Sequence, residues 1–361
     1  MKEELAQEYL KQRGYEIKDI KHIPEGRNHD SFDVTLEDGT GLIARFEKQT
    51  EGKNLDPIYN GLRTLDREKN LCEIVRTKAG LPAPKIFGIY RSEEASFILA
   101  EKMRGVYWRD FIAQKDYDLQ SYLQSLRFLG EDIGKAQQVK FESYGDIISA
   151  KEIYPEGLTD FTERLRFITR LQLDRAEKQN SAEKKELKEI GSYFEKELDC
   201  LEKQPKEKGI KPVLILTDLH PMNFLVDEKG KPSGYFDLEF CQSGDPVMEF
   251  YVLRFSLFNY FDKYTFQKAE TAFFEGFEKQ GDGYDKEKDS NAIKERILLS
   301  NHLLAAITAY NKIKDGVRDD WSEQFKTILF DLIKNKELDY PSIADVLRTK
   351  TKQPKTPKAS S

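Results

Sequence analysis

Cysteine and histidine are scarce in this chain, which has 361 residues, 3 cysteines and 4 histidines. Cys72, Cys200 and Cys241 are far apart and odd in number, so neither a disulfide framework nor a close-spaced thiolate metal site is expected. The histidines are scattered, which argues against a zinc site. No apolar stretch reaches the roughly 18–20 residues that a membrane span needs. The first ten residues, M-K-E-E-L-A-Q-E-Y-L, carry acids where a signal peptide would carry an apolar core. A cytoplasmic protein with no membrane partner is expected. An excess of basic charge is also missing. With 58 Lys and Arg against 64 Asp and Glu, the net charge is −6. A surface of mixed sign is no footprint for nucleic acid. No internal repeat is present.

The length allows two domains, or two lobes with a sizeable core. Residues 2–13 predict a short amphipathic helix that ends at Gly14. I-K-D-I-K-H-I-P, S-F-D-V-T-L and G-L-I-A-R-F-E predict strands, and E-D-G-T predicts a hairpin turn. Residues 62–79 predict a helix, stopped by G-L-P-A-P. K-I-F-G-I-Y and S-F-I-L-A-E predict two further strands. From about residue 117 the pattern is mostly helical, over 117–138, 159–204, 246–280, 287–313 and 321–336. The Lys- and Glu-rich stretch 178–198 predicts a solvated helix face. Two short strands are expected around E-K-G-K-P.

One stretch breaks the helical pattern with chemistry. In V-L-I-L-T-D-L-H-P-M-N-F-L-V-D, an apolar run stops at Asp218 and a carboxamide, Asn223, follows five residues later. A second apolar run ends at Asp237. Polar groups at the ends of buried strands need partners. Either a turn with solvated acids or a metal ion carrying phosphate oxygens would supply them. Phosphoryl transfer from ATP needs a short set of groups. One carboxylate receives the acceptor hydroxyl. A carboxamide and a second carboxylate hold the metal. A cation steadies the phosphates, and a helix acid holds that cation. Magnesium prefers oxygen ligands and keeps waters, so few protein ligands suffice.

The stretches T-D-L-H-P-M-N-F-L-V-D and S-G-Y-F-D-L-E-F-C-Q-S-G-D-P-V-M-E-F closely resemble the aminoglycoside phosphotransferase and choline kinase superfamily. Its pattern there is H-G-D-L-H-P-x-N, a short hairpin, D-F-E and G-D-P-x-x-D. The resemblance runs over roughly residues 20–280 and is strongest at 213–250. It implies a protein-kinase-like two-lobe α+β fold. An N-terminal nucleotide-binding lobe would occupy residues 1–101, and a mainly helical catalytic and substrate-binding lobe residues 102–347. Residues 348–361 would form a disordered basic tail. It further implies an ATP- and Mg2+-dependent kinase that phosphorylates a hydroxyl of a small molecule.

By the same resemblance Asp218 is the catalytic base, and Asn223 and Asp237 are the magnesium ligands. Glu239, two residues on, is expected on the same side of an extended strand. His220 is expected to brace the loop. Asp245 and Glu249 are expected to hydrogen-bond the catalytic loop from the next helix. Gly26, Asn28 and Ser31 belong to a loop over the phosphates. Arg45 is the strand cation and Glu68 its helix partner. The carbonyl of Glu101 and the N–H of Met103 would meet the adenine, with Ala100, Ile98 and Phe236 around it.

The chain departs from the family pattern at Leu216, where the family has histidine, and at Thr217, where it has glycine. The lost histidine favours an alternative, a non-catalytic pseudokinase-like nucleotide-binding module, but the intact Asp218, Asn223 and Asp237 speak against it. A protein kinase is disfavoured by the missing G-x-G-x-x-G, H-R-D and A-P-E patterns. For the acceptor, a cationic or polyhydroxylated metabolite is the first expectation. Glu249, Glu275 and Glu278 are candidates to attract a cation. The aromatics of F-Y-V-L-R-F-S-L-F-N-Y-F and F-F-E-G-F-E would either cage an amine or pack helices.

Overall fold

The structure, a computed structural model, describes residues 2–24, 29–47, 64–93, 95–205, 211–281, 289–311, 313–314, 317–318 and 320–343. The expected loop residues Gly26 and Asn28 and the tail at 348–361 lie outside the described residues.

Helix α1 (Lys2–Gln12) is followed by β1 (Ile17–Ile23), β2 (His29–Leu36) and β3 (Gly41–Glu47). Helix α2 (Leu65–Thr77), β4 (Ile86–Arg91) and β5 (Ser96–Glu101) complete an antiparallel sheet of order β1-β2-β3-β5-β4. In β3 burial alternates with the pleat. Leu42, Ala44 and Phe46 point into a core shared with Ala6, Tyr9 and Leu10 of α1. Ile43, Arg45 and Glu47 therefore face the other way. Strand register sets Ser31 opposite Arg45 and Arg45 opposite Ile98, a cross-strand row on that second face. Thr64 caps α2 by accepting a hydrogen bond from the Arg67 N–H at 3.2 Å. Glu68, Leu71, Cys72 and Val75 then share one buried helix face.

Beyond β6 (Val106–Tyr107) the chain is mostly helical. In chain order come α3 (Trp108–Gln114), α4 (Leu119–Ala136), β7 (Gly145–Ile147), β8 (Ile153–Tyr154), α5 (Phe161–Lys178) and α6 (Lys184–Glu202). The expected helix over 159–204 is thus two helices, with Asn180 in the left-handed region at the corner. Three short strands follow, β9 (Val213–Ile215), β10 (Phe224–Val226) and β11 (Pro232–Tyr235). After β12 (Gln242–Gly244) come α7 (Val247–Leu253), α8 (Lys263–Phe277), α9 (Asp289–Tyr310) and α10 (Asp320–Asn335). A π-helical turn, Arg254–Phe258, separates α7 from α8, so the expected helix over 246–280 is interrupted. Helices α4 and α8 cross so closely that a Cβ on Gly276 would lie 1.9 Å from the Arg127 carbonyl oxygen. Only glycine fits that crossing.

The aromatics of 250–261 and 273–278 settle mostly as core. Phe250, Phe258, Phe261, Phe273 and Phe277 are buried in one cluster. Among the described residues no helix is long and apolar enough to cross a membrane.

Candidate active site

Asp218 sits just past the end of β9, in a loop whose backbone is tied down from several sides. Thr217 takes a positive φ of 61°, uncommon for a branched residue. Its hydroxyl donates to the Phe240 carbonyl. The Leu216 N–H donates to the buried Glu249 carboxylate at 2.7 Å, and Ser256 Oγ donates to the Leu219 carbonyl at 2.8 Å. Within the loop the Asn223 N–H donates to the His220 carbonyl at 2.9 Å. His220 Nδ1 accepts from the Met222 N–H at 3.2 Å, a bracing contact. Asn223 Nδ2 donates to both the carbonyl and the carboxylate of Asp218, each at 2.9 Å. This fixes the carboxamide and aims one Asp218 oxygen.

Burial raises the pKa of Asp218. The neighbouring His220 pulls it back, and the Asp237 and Glu239 carboxylates push it further up. The net shift is upward, toward the working range of a general base.

The hairpin of β10 and β11 returns the chain to Asp237, where the Phe236 N–H donates to the Asn223 carbonyl at 3.3 Å. Asp237 itself is left-handed, with φ 59°, and a 3-10 turn, Leu238–Phe240, begins there. Glu239 is therefore not on an extended strand beside Asp237, as the sequence suggests. It is buried inside the turn.

Arg45 reaches across from the sheet. Nη1 donates to Glu68 at 2.7 Å and Nη2 to Asp237 at 2.6 Å. Burial works against the guanidinium charge. The Glu68 and Asp237 carboxylates outweigh it and hold the charge firmly. One cation so joins the strand, the helix and the second acid. Next to Glu68, Arg67 is buried and projects about 100° further round α2. It donates to the carbonyls of Ile147 (2.6 Å), Glu239 and Cys241 (3.1 Å).

Ser31 is half-buried in the row beside Arg45. At the end of β5 the Glu101 N–H is already taken by the Lys85 carbonyl at 2.8 Å. Met103 is half-buried, packed where a Cβ on Gly234 would lie 2.9 Å from its own Cβ. Gly105, with φ 129°, follows. A Cβ there would lie 2.4 Å from Ser233 Oγ and 2.6 Å from the Val226 carbonyl oxygen. Ile98 and Ala100 are buried, and Phe236 meets the Tyr107 ring edge-on at 5.8 Å.

Asp245 departs from its expected place. Its carboxylate caps the Val247 N–H at 3.0 Å and pairs with Lys294 at 2.7 Å, so it fastens α7 to α9 instead of the loop. Glu249 alone of the two acids holds the loop directly, and its burial raises its pKa to about 7. Leu216, where the resemblance calls for histidine, is buried in the apolar core.

Among the described residues no three His, Cys, Asp or Glu side chains converge as an all-protein metal cage. Magnesium does not require one, since it binds through one or two protein oxygens with waters and substrate phosphates. The donor set suits it. Asn223 spends its amide nitrogen on Asp218, leaving the carboxamide oxygen, and Asp237 adds a carboxylate two-thirds buried beside it.

A cavity of about 530 Å³ opens from Asp218 and Thr217 and runs between α5 and α9. Its wall includes Arg164, Arg175, Asn301 and His302. Arg164 and Arg175 were missed in the sequence because 159–204 reads as a helix with abundant Lys–Glu pairs, and Asn301 and His302 because they sit inside the helical run 287–313. The signal was available. Arg164, Ile168, Leu171 and Arg175 recur at helical spacing along one face.

Comparison with known proteins identifies a family. A model of the phosphotransferase enzyme family matches residues 19–288. Comparison with curated protein sequences returns no match. Among solved structures, a fructosamine-3-kinase from Thermobifida fusca, titled as putative, aligns with TM-score 0.61 at 15% identity, covering 91% of this chain and 96% of that one. An aminoglycoside 2'-phosphotransferase bound to GDP aligns with TM-score 0.59 at 13% identity, covering 94% and 99%. An ethanolamine kinase from Plasmodium vivax aligns with TM-score 0.51 at 14% identity, covering 88% and 83%. At such identities these structures share the fold. The family model spans well over half of the sequence and contains the whole Asp218–Asn223–Asp237 segment, and the chain belongs to the phosphotransferase enzyme family.

Proposed function

We propose that the protein transfers the γ-phosphoryl group of ATP, with magnesium, to a hydroxyl of a small molecule. The observation that carries this reading is the joining of five groups in one cleft. Arg45 bridges Glu68 and Asp237, while Asn223 holds Asp218 beside them.

In this reading Asp218 accepts the proton of the acceptor hydroxyl as the oxygen attacks phosphorus. Asn223 keeps the carboxylate turned toward the acceptor cavity. The carboxamide oxygen of Asn223 and the Asp237 carboxylate would hold magnesium, which when bound neutralises phosphate charge. Arg45 would donate to phosphate oxygens, and Glu68 keeps it in place. Met103 and the end of β5 would receive the adenine. The lobes at 1–101 and 102–347 would divide these tasks between nucleotide and acceptor.

The test is ADP formation. Wild-type protein should hydrolyse Mg-ATP slowly and far faster with its acceptor. Asp218→Ala should lower the rate about 10²–10⁴-fold while Mg-ATP binding persists. Mg-ATP binding without any Asp218-dependent ADP formation, across a broad acceptor panel, would replace this reading by the pseudokinase-like one. The loop itself favours the enzyme. The place of the missing histidine is filled by packed Leu216, and Glu249 holds its N–H.

A further inference from the structure

The cavity beside Asp218 has a charge pattern that the sequence expectation did not foresee. Its acidic wall residues are Asp146, Asp218 and Glu239. None comes from α5 or α9, the two helices that form its long walls. Those helices supply Arg164 and Arg175, which lie eleven residues apart, about 16 Å along α5 at 1.5 Å per residue. The acids first expected to attract a cation are elsewhere. Glu249 holds the Leu216 N–H, and Glu275 pairs with Arg127 on α4.

Asp146 does not neutralise this wall. It lies 2.8 Å from Arg164 and 3.9 Å from Arg67, one carboxylate between two guanidinium groups. Arg164 is 3% exposed. Its Nη2 donates to Asp146 and to Gln242, yet Nε and Nη1 have no hydrogen-bond partner among the described residues. The Oδ1 of Asn301, also on the wall, is likewise without one. A buried guanidinium with unused donors is costly unless something accepts from it. Burial holds His302 well below the usual histidine range, at about 4, so at neutral pH it adds a polar, uncharged edge. Phe167 and Tyr251 supply ring surface.

We propose that the acceptor is a hydroxylated small molecule bearing an oxyanion, either a carboxylate or a phosphate ester, which the unused Nε and Nη1 donors of Arg164 hold against the α5 wall while the hydroxyl lies at Asp218. This rests on the kinase reading of the cleft and deepens it. Arginine suits the task because its planar donors match both oxyanions. An aminated acceptor would meet the Arg164 guanidinium there, and neither helix offers it a wall carboxylate.

A matched set of sugars isolates the charge: glucose, gluconate, glucose 6-phosphate and glucosamine, each titrated calorimetrically into the full chain with Mg-ADP present. Gluconate or glucose 6-phosphate should bind at least about 10-fold tighter than glucose, the worth of one charge-assisted hydrogen bond, and glucosamine should bind weakest. Preference for one anion over the other tells carboxylate from phosphate. Arg164→Gln should compress the spread to within about 3-fold. Arg164→Lys, which keeps the charge but not the planar fork of donors, should keep more of the spread than Arg164→Gln, and the ligand order on the wild-type chain tests the proposal even where a variant folds poorly. Equal or undetectable binding of all four, a preference for glucosamine, or a spread unchanged in a folded Arg164→Gln variant overturns the proposal. The kinase reading stands or falls separately, on Asp218-dependent ADP formation. Its loss with the charge order intact leaves the anion site standing.

Discussion

Replacing Arg45 by methionine removes a cation of similar reach and leaves two carboxylates facing each other. In the wild type, Nη1 is 2.7 Å from Glu68 and Nη2 is 2.6 Å from Asp237. The side chains of Arg45 and Glu68 are 14% and 10% exposed, and that of Asp237 is 33% exposed. Removing one partner of a buried ion pair costs about 3–5 kcal/mol, because the other charge is stranded. The exposed third of Asp237 is screened by water, which brings the expected loss to about 2–4 kcal/mol. With a denaturant slope of about 3 kcal/mol per molar urea, the unfolding midpoint should fall by about 1 M at unchanged slope. The energy is that of stranded charge, so Glu68→Gln added to Arg45→Met should recover part of the loss. In the wild-type background Glu68→Gln should destabilise. The double-mutant cycle is therefore strongly non-additive. A midpoint within about 0.2 M of wild type for Arg45→Met, or strictly additive effects, would refute the reasoning. Arg45 would then be a solvated strand residue and not the tie across the cleft.

Three further outcomes are expected. Mg-ATP should raise the melting temperature by mass action, and Asp237→Asn should abolish most of the magnesium-dependent part while adenosine binding persists. Equal loss of both would make Asp237 a structural residue. Gly105→Ala forces a side chain into the left-handed region against Ser233 and the Val226 carbonyl, so it should destabilise by more than about 1 kcal/mol, read by calorimetry against Ala at Gly39, where φ is 83° but nothing lies within 4 Å, so that the excess loss reports the clash. Glu249 has a folded-state pKa of about 7, raised from 4.5. The folded protein thus holds a proton that the unfolded chain gives up. Its contribution to stability is fully present below pH 4.5 and is lost as pH rises to about 7, a slope worth on the order of 3 kcal/mol. Glu249→Gln should flatten that part of the stability–pH curve, and an unchanged curve would place the titration elsewhere.

The parts of this site legible in the sequence are those where chemistry and local pattern coincide. Asp218, Asn223 and Asp237 stand at the ends of short apolar runs, and the hairpin between them has its own turn signal. Alternation in β3 puts Arg45 on the face opposite the α1 core. What stayed hidden depends on tertiary position. Arg67 reads as a surface charge on an amphipathic helix, since nothing local says that three carbonyls surround it. The strands β7, β9 and β12 are three residues each, too short to show a period. Glu239 was expected on an extended strand because the left-handed turn at Asp237 has no residue signature such as glycine. Asp245 looked like a loop anchor, but its partner Lys294 lies 49 residues away on another helix.

The two adjacent residues Arg67 and Glu68 bear on how firmly α2 is held. Glu68 is bound to Arg45, and Arg67, about 100° further round α2, to the carbonyls of Ile147, Glu239 and Cys241. Rotating or withdrawing this helix would break the Glu68 contact and also abandon a buried arginine among carbonyls, each loss costing its full desolvation. The helix is thus fastened through two neighbouring side chains, one to the sheet and one to the turn after Asp237. Arg45 is therefore held in place from α2 in the folded chain before any ligand arrives.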